Sequence, residues 1–278
     1  MFEAVQQRRS WLGHVMPDPR PTVSYLFSLE SHVYSFAIAA NVLLSFFPFL
    51  VLVLTLLQHG LQMRGAAEVV YLAVRDFLPE DPGLEEFVIA HLKLAVQSRG
   101  QAAVVSALML VFSSNGIFVP LEVALNRLFG FTADRPYWKN QIISLGLAVA
   151  CGALALLAAL SVLKAADVLQ VVSGAALLPR TARFLALKLV GIPFSALPLF
   201  LVYWALPNGR VPARRALGFA VVVGLLLELG KDLYVLIWPY LGFRQVYGPF
   251  FISITLLMLG YAAAMVVLAG AELMARPR

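Results

Sequence analysis

Apolar runs long enough to cross a hydrocarbon core recur from one end of this 278-residue chain to the other. A core of roughly 30 Å takes about 20 helical residues. Six stretches reach that length, at about residues 35–58, 102–120, 141–163, 184–206, 216–238 and 247–272. The dyad alternation of a membrane barrel is absent, and helices are then the only structure that satisfies the backbone in lipid. The expected fold class is all-α: a polytopic membrane protein with six transmembrane helices. Composition agrees, with 61% of residues hydrophobic and 13% charged, where a soluble domain carries about 25% charged.

No cleavable signal precedes the first run, which is expected to act as an uncleaved start signal. The organisation expected is a cytoplasmic amino-terminal segment at 1–34, a six-helix membrane domain at 35–275 and a cytoplasmic tail at 276–278. Lys and Arg set the orientation. Arg8, Arg9 and Arg20, then Arg127, Arg135 and Lys139, then Arg210, Arg214 and Arg215, and finally Arg276 and Arg278 give eleven on one side, against eight on the other. Both termini are therefore expected in the cytoplasm. The net charge of +6 then reflects topology and attraction to anionic headgroups, since no basic patch interleaved with aromatics points to nucleic acid.

The connection at about 59–100 is longer than the others. Around the turn cluster Phe77-Leu78-Pro79-Glu80-Asp81-Pro82-Gly83 its apolar residues recur at helical spacing. Two amphipathic extracytoplasmic helices fit that pattern. They either lie in the interface and cap the bundle or cover a substrate entrance.

Proline is expected to break the first and fourth spans, through Pro48 in one and Pro193 and Pro198 in the other. Each half then opens on Ser-x-x-Pro, at Ser45 and Ser195. In each half the following span carries a glutamate four residues before a second polar group: Glu122 before Asn126, and Glu228 before Asp232. Such pairs share a helical face. With three spans per half, a repeat would be inverted, an arrangement found in transporters with midplane sites; coincidence is the alternative.

The fifth span contains Glu228, Lys231 and Asp232 inside an otherwise apolar run. Positions i, i+3 and i+4 share a face. A centre-placed Lys or Asp costs about 2.5 to 3.5 kcal/mol on insertion scales, so the three must face the bundle or water. They form either a structural ion pair, Glu228 with Lys231, or a polar lining for a substrate or ion path. Asn41, Asn115, Glu122, Asn126 and Arg127 are the other groups expected along such a path, with Lys188 and Glu272 near span ends. Asn115-Gly116 also suits close helix packing, and Glu272 also suits pairing with a loop arginine. Cys151 lies mid-span as an apolar filler. The histidines at 14, 32, 59 and 91 share no metal-ligand spacing, so neither metal nor cofactor is expected.

Several phrases together resemble the YihY/BrkB family of bacterial inner-membrane proteins, once labelled ribonuclease BN. They are Leu44-Ser45-Phe46-Phe47-Pro48, Leu125-Asn126-Arg127-Leu128-Phe129-Gly130, Arg135-Pro136-Tyr137-Trp138-Lys139, Leu206-Pro207-Asn208, Val211-Pro212, Tyr247-Gly248 and Gly270-Ala271-Glu272. The resemblance implies six inner-membrane helices with cytoplasmic termini, and a transporter linked to envelope lipids and serum resistance. Ala40-Asn41 departs from the aromatic residues expected before Ser45. The ribonuclease label finds no clustered His, Asp or Glu outside the spans to carry metal-dependent hydrolysis. No Ser-His, Asp-Asp or His-metal arrangement within a span suggests an enzyme.

Two functions remain as expectations. One is a transporter or lipid translocase for an anionic or amphipathic envelope-related substrate, met by Lys231 and Arg127. The other is a non-transporting scaffold that holds an envelope-assembly partner through 59–100. Membrane lipids are the expected surroundings in either case. The run Ala262-Ala263-Ala264 suits helix packing within or between chains and leaves a homo-oligomer open.

Overall fold

The computed structural model describes residues 20–55, 101–132, 135–173 and 195–276, and isolated positions (57, 58, 62, 66, 70, 71, 89, 90 and 193) between them. Every element among them is helical. In chain order they are α1 (Arg20–Leu26), α2 (Leu29–Thr55), α3 (Gln101–Phe129), α4 (Tyr137–Ser173), α5 (Ser195–Ala205), α6 (Ala213–Leu241), α7 (Phe243–Tyr247), a 3-10 turn (Gly248–Phe250) and α8 (Phe251–Ala275). Three helices are long and apolar enough to cross a membrane: Leu29–Thr55, Trp138–Leu157 and Phe251–Ala275. α6 has comparable length, with Glu228, Lys231 and Asp232 interrupting its apolar run.

α2 is the axial helix, packed along α3 on one side and α8 on the other. α8 also contacts α1, α3 and α6, and α4 packs on α3. α5 enters the core through Leu199, Val202 and the fully buried Tyr203, beside Leu125, Val223 and Leu268. A second cluster gathers around Leu50, Leu54 and Phe251. It includes Ala66 and Val70, so these two apolar positions of the 59–100 connection pack on the end of α2. Most of that connection lies outside the described residues.

Lipid is as apolar as leucine, so helices in hydrocarbon associate where backbones come close. The glycines mark those places. A Cβ at Gly260 would stand 3.2 Å from the Cα of Ala39, which fixes the approach of α8 to α2. At Gly116 it would fall on the Asn41 side chain. At Gly270 it would collide with Val223 and with the Tyr203 hydroxyl, which donates to the Val267 carbonyl at 2.7 Å.

Pro48 does not break its helix: α2 runs through it to Thr55. A proline removes one N–H and displaces a carbonyl one turn back, and membrane helices absorb this through neighbouring groups. One turn earlier the Ser45 hydroxyl donates to the Val42 carbonyl at 3.1 Å, while the carbonyl that Pro48 leaves without its N–H is that of Leu44. Pro120, inside α3, is a second such proline that the span count passed over. Pro198 lies within α5, while Pro193 is an exposed helical position just before it.

Gly270→Ala is expected to cost about 2 kcal/mol by overpacking, because Tyr203 and Val223 are both held in the core. Gly218→Ala, where nothing stands within 4 Å of the new Cβ, is expected to be neutral or stabilising. Thermal unfolding of the two variants in detergent separates them.

Candidate functional site

The connections α3–α4 and α5–α6 and both ends of the described chain meet at one end of the bundle. α3 stops at Gly130, whose φ of +71° suits glycine. Its carbonyls are satisfied by a Schellman pair: Phe131 N–H donates to Asn126 O at 2.8 Å, and Gly130 N–H to Arg127 O at 3.2 Å. α4 and α6 start just after Pro136 and Pro212, whose carbonyls accept the first helical N–H bonds. α5 ends without a left-handed glycine, and its end is closed from outside. Arg135 donates Nη1 to Leu206 O at 3.1 Å and Nη2 to Pro207 O at 2.5 Å, with Ala205 O at 3.5 Å from Nη1. Asn126 Oδ1 accepts the Asn208 backbone N–H at 2.7 Å. The Phe131 ring lies over Gly209, where a Cβ would strike it.

These contacts enclose a cavity of 480 Å³ lined by Glu122, Asn126, Arg127, Arg135, Asn140 and Asn208, among others. Its mouth is formed by the exposed Val123, Arg127, Gly130 and Thr132. Its floor is Glu122, only 4% exposed. Glu122 Oε2 and Asn140 Oδ1 are both buried with no hydrogen-bond partner among the described residues. Arg127 is held by Glu30 at 3.1 Å, so its charge is already compensated.

Of the residues expected along a path, Glu122, Asn126 and Arg127 therefore come together, while Asn41, Glu228, Lys231 and Asp232 do not line this cavity. Asn41 bonds back to its own helix, Nδ2 to Ala37 O at 2.8 Å, and packs against Gly116. The side chain of Asn115 and all of Lys188 lie outside the described residues. Glu228 and Lys231 form an ion pair at 2.9 Å within α6. Asp232 is exposed. Glu228 is sixteen positions from Pro212, about 24 Å along the helix. Among the described residues Glu272 meets the arginine just beyond its own helix. Its partners are Arg276 one turn on, at 2.9 Å, and the Thr22 hydroxyl of α1, with Arg276 also donating to Thr22. Arg215 donates to the Arg276 carbonyl.

Arg135, Asn140 and Asn208 were not among the candidate site residues. Leu206-Pro207-Asn208 offered a signal for Arg135, because a helix end without a glycine needs an outside donor. Asn140 carried no such signal.

Above the same end, the buried Tyr25 hydroxyl of α1 has no hydrogen-bond partner. Burial pushes its pKa up to about 12, with Glu30, Tyr34 and Glu272 adding to the shift and Arg127 opposing it.

The family model described as Virulence factor BrkB matches residues 30–276. A UPF0761 membrane protein of Pseudoalteromonas atlantica is 27% identical over 95% of this chain and 87% of its own length. One from Cronobacter sakazakii is 27% identical over 69% of this chain and 65% of its own length. One from Pseudomonas aeruginosa is 28% identical over 85% of this chain and 57% of its own length. The chain thus spans less than two thirds of the latter two relatives. No solved structure matches it.

Lys231→Met removes the cation that Glu228 meets at 2.9 Å and is expected to destabilise more than Glu228→Gln with Lys231→Met, because removing one partner of a partly desolvated pair is worse than removing both. Unfolding of the single and double variants checks the order. The raised Tyr25 pKa means the folded state resists ionisation. Its stabilising contribution is complete below pH 10, the ordinary tyrosine value, and is lost as pH rises towards about 12. Tyr25→Phe is expected to lessen the loss of stability over that window, measured by unfolding at stepped pH.

Proposed function

This chain belongs to the virulence factor BrkB family of membrane proteins, and we propose that it is an inner-membrane transporter or lipid translocase for an amphipathic or anionic envelope-related substrate. One observation carries the reading. A buried, unpartnered carboxylate, Glu122, forms the floor of a cavity at one end of an apolar helical bundle. An intramembrane ionisable group with no structural partner is expensive to keep and marks a substrate or ion site by default.

In this reading six helices span the membrane, with both termini and the cavity mouth facing the cytoplasm. The gathering of Arg127, Arg135, Arg215 and Arg276 at the cavity end supports that orientation through the positive-inside rule. The cavity is the cytoplasmic vestibule. The Glu228–Lys231 pair is a second polar station deeper in the span, self-compensated until a substrate competes for one partner.

Filling the vestibule is the direct test. Val123 lines it and is 47% exposed, so Val123→Trp adds bulk at the mouth without disturbing the core. In proteoliposomes with labelled phospholipids and a panel of small anions, wild type is expected to move at least one of them. Val123→Trp is expected to lower that flux about tenfold, a barrier increase of roughly 1.4 kcal/mol, at unchanged unfolding temperature. Equal flux through the filled variant would remove the cavity from the path.

A further inference from the structure

The cavity carries two charges of opposite sign that nothing neutralises among the described residues. Glu122 is 4% exposed, makes no ion pair there, and its Oε2 accepts no hydrogen bond. In the same lining Asn140 Oδ1 is a second buried acceptor without a donor among the described residues. On another wall stands Arg135, whose hydrogen bonds all go to the neutral carbonyls of Ala205, Leu206 and Pro207. Those bonds fix the guanidinium in place and leave its charge uncancelled. Arg127, the other cation of the lining, is matched by Glu30. The result is a dipolar cavity, acceptor-rich at the floor and cationic at the side.

A purely anionic ligand would meet Arg135 but would leave Glu122 facing a like charge. A buried carboxylate without a donor is costly and is relieved by a proton or by a cationic donor. The second acceptor on Asn140 favours the cationic donor, since an ammonium brings three N–H donors where a carboxyl proton brings one.

We infer that the cavity recognises a zwitterionic group, with a primary ammonium on Glu122 and Asn140 and a phosphate towards Arg135. This deepens the transport reading and rests on it for the presence of a substrate, and it narrows the class from anionic to ammonium-phosphate. The same chemistry is offered by an aminophospholipid headgroup and by a free phosphorylated amine. A volume of 480 Å³ holds a headgroup of that size, within the range of small-molecule sites of about 300 to 1,000 Å³.

The test is equilibrium binding to the full chain in detergent, read by native mass spectrometry. The probes are phosphatidylethanolamine and phosphatidylglycerol with identical acyl chains. Wild type is expected to prefer the former about tenfold, the weight of one charge-assisted hydrogen bond. Glu122→Gln keeps the shape, removes the charge and is expected to abolish the preference. Free phosphoethanolamine as competitor distinguishes the sources: displacement assigns the site to the headgroup alone, and no displacement assigns it to the lipid. Equal binding of the two lipids by wild type, or a preference that survives in Glu122→Gln, overturns the inference. A Glu122-dependent preference in a chain that moves nothing would keep the site and remove transport. Flux indifferent to headgroup charge would do the reverse.

Discussion

One guanidinium holds one end of this bundle together. α5 stops with its carbonyls directed at the α3–α4 connection, and Arg135 closes them with its fork of donors. A planar group with donors in fixed directions can reach neighbouring carbonyls of one helix end, where an ammonium acts as a point charge. Because Arg135 is fixed this way, Asn208 comes within reach of Asn126, Phe131 settles over Gly209, and the space between these groups stays open. The cavity is therefore a by-product of how a helix is ended. Its polar lining follows, since the residues that end helices are polar.

Along the length of the bundle a different economy applies. Leucines facing lipid gain little by facing each other, so contact is decided by Gly260 against Ala39, Gly116 against Asn41, and Gly270 beneath Tyr203 and Val223. The phrase Gly270-Ala271-Glu272 combines both regimes within one turn of helix. Its glycine admits a tyrosine hydroxyl, its alanine is fully buried, and its glutamate binds α1.

The all-helical fold was legible because a membrane needs long apolar stretches and little else imitates them. The helix ends were less so. α3 was expected to end near 120 and runs to Phe129; those extra turns carry Glu122, Asn126 and Arg127, polar residues that a count of apolar ones leaves out. The pairing of Glu228 with Lys231 followed from helical spacing alone. Their separation from Glu122 did not, because spacing fixes a face and says nothing of depth along a bundle. Pro48 was read as a break, yet a proline ends a helix only where no neighbouring contact holds the following turn in place. Arg135 and Asn208 stood among the family-like phrases without a role, since a side chain that caps another helix carries its meaning in the partner's sequence.

The link between Thr22, Glu272 and Arg276 joins residues 250 and 254 positions apart. Contacts of such separation form late, after the loop-closure entropy of the intervening chain has been lost. α1 emerges early during synthesis, yet its partner is translated more than two hundred residues later. Until then α1 has no anchor on α8, and the nascent bundle waits with that end unfastened. Maturation of this bundle thus has a natural late step, the docking of Arg276 between Thr22 and Arg215.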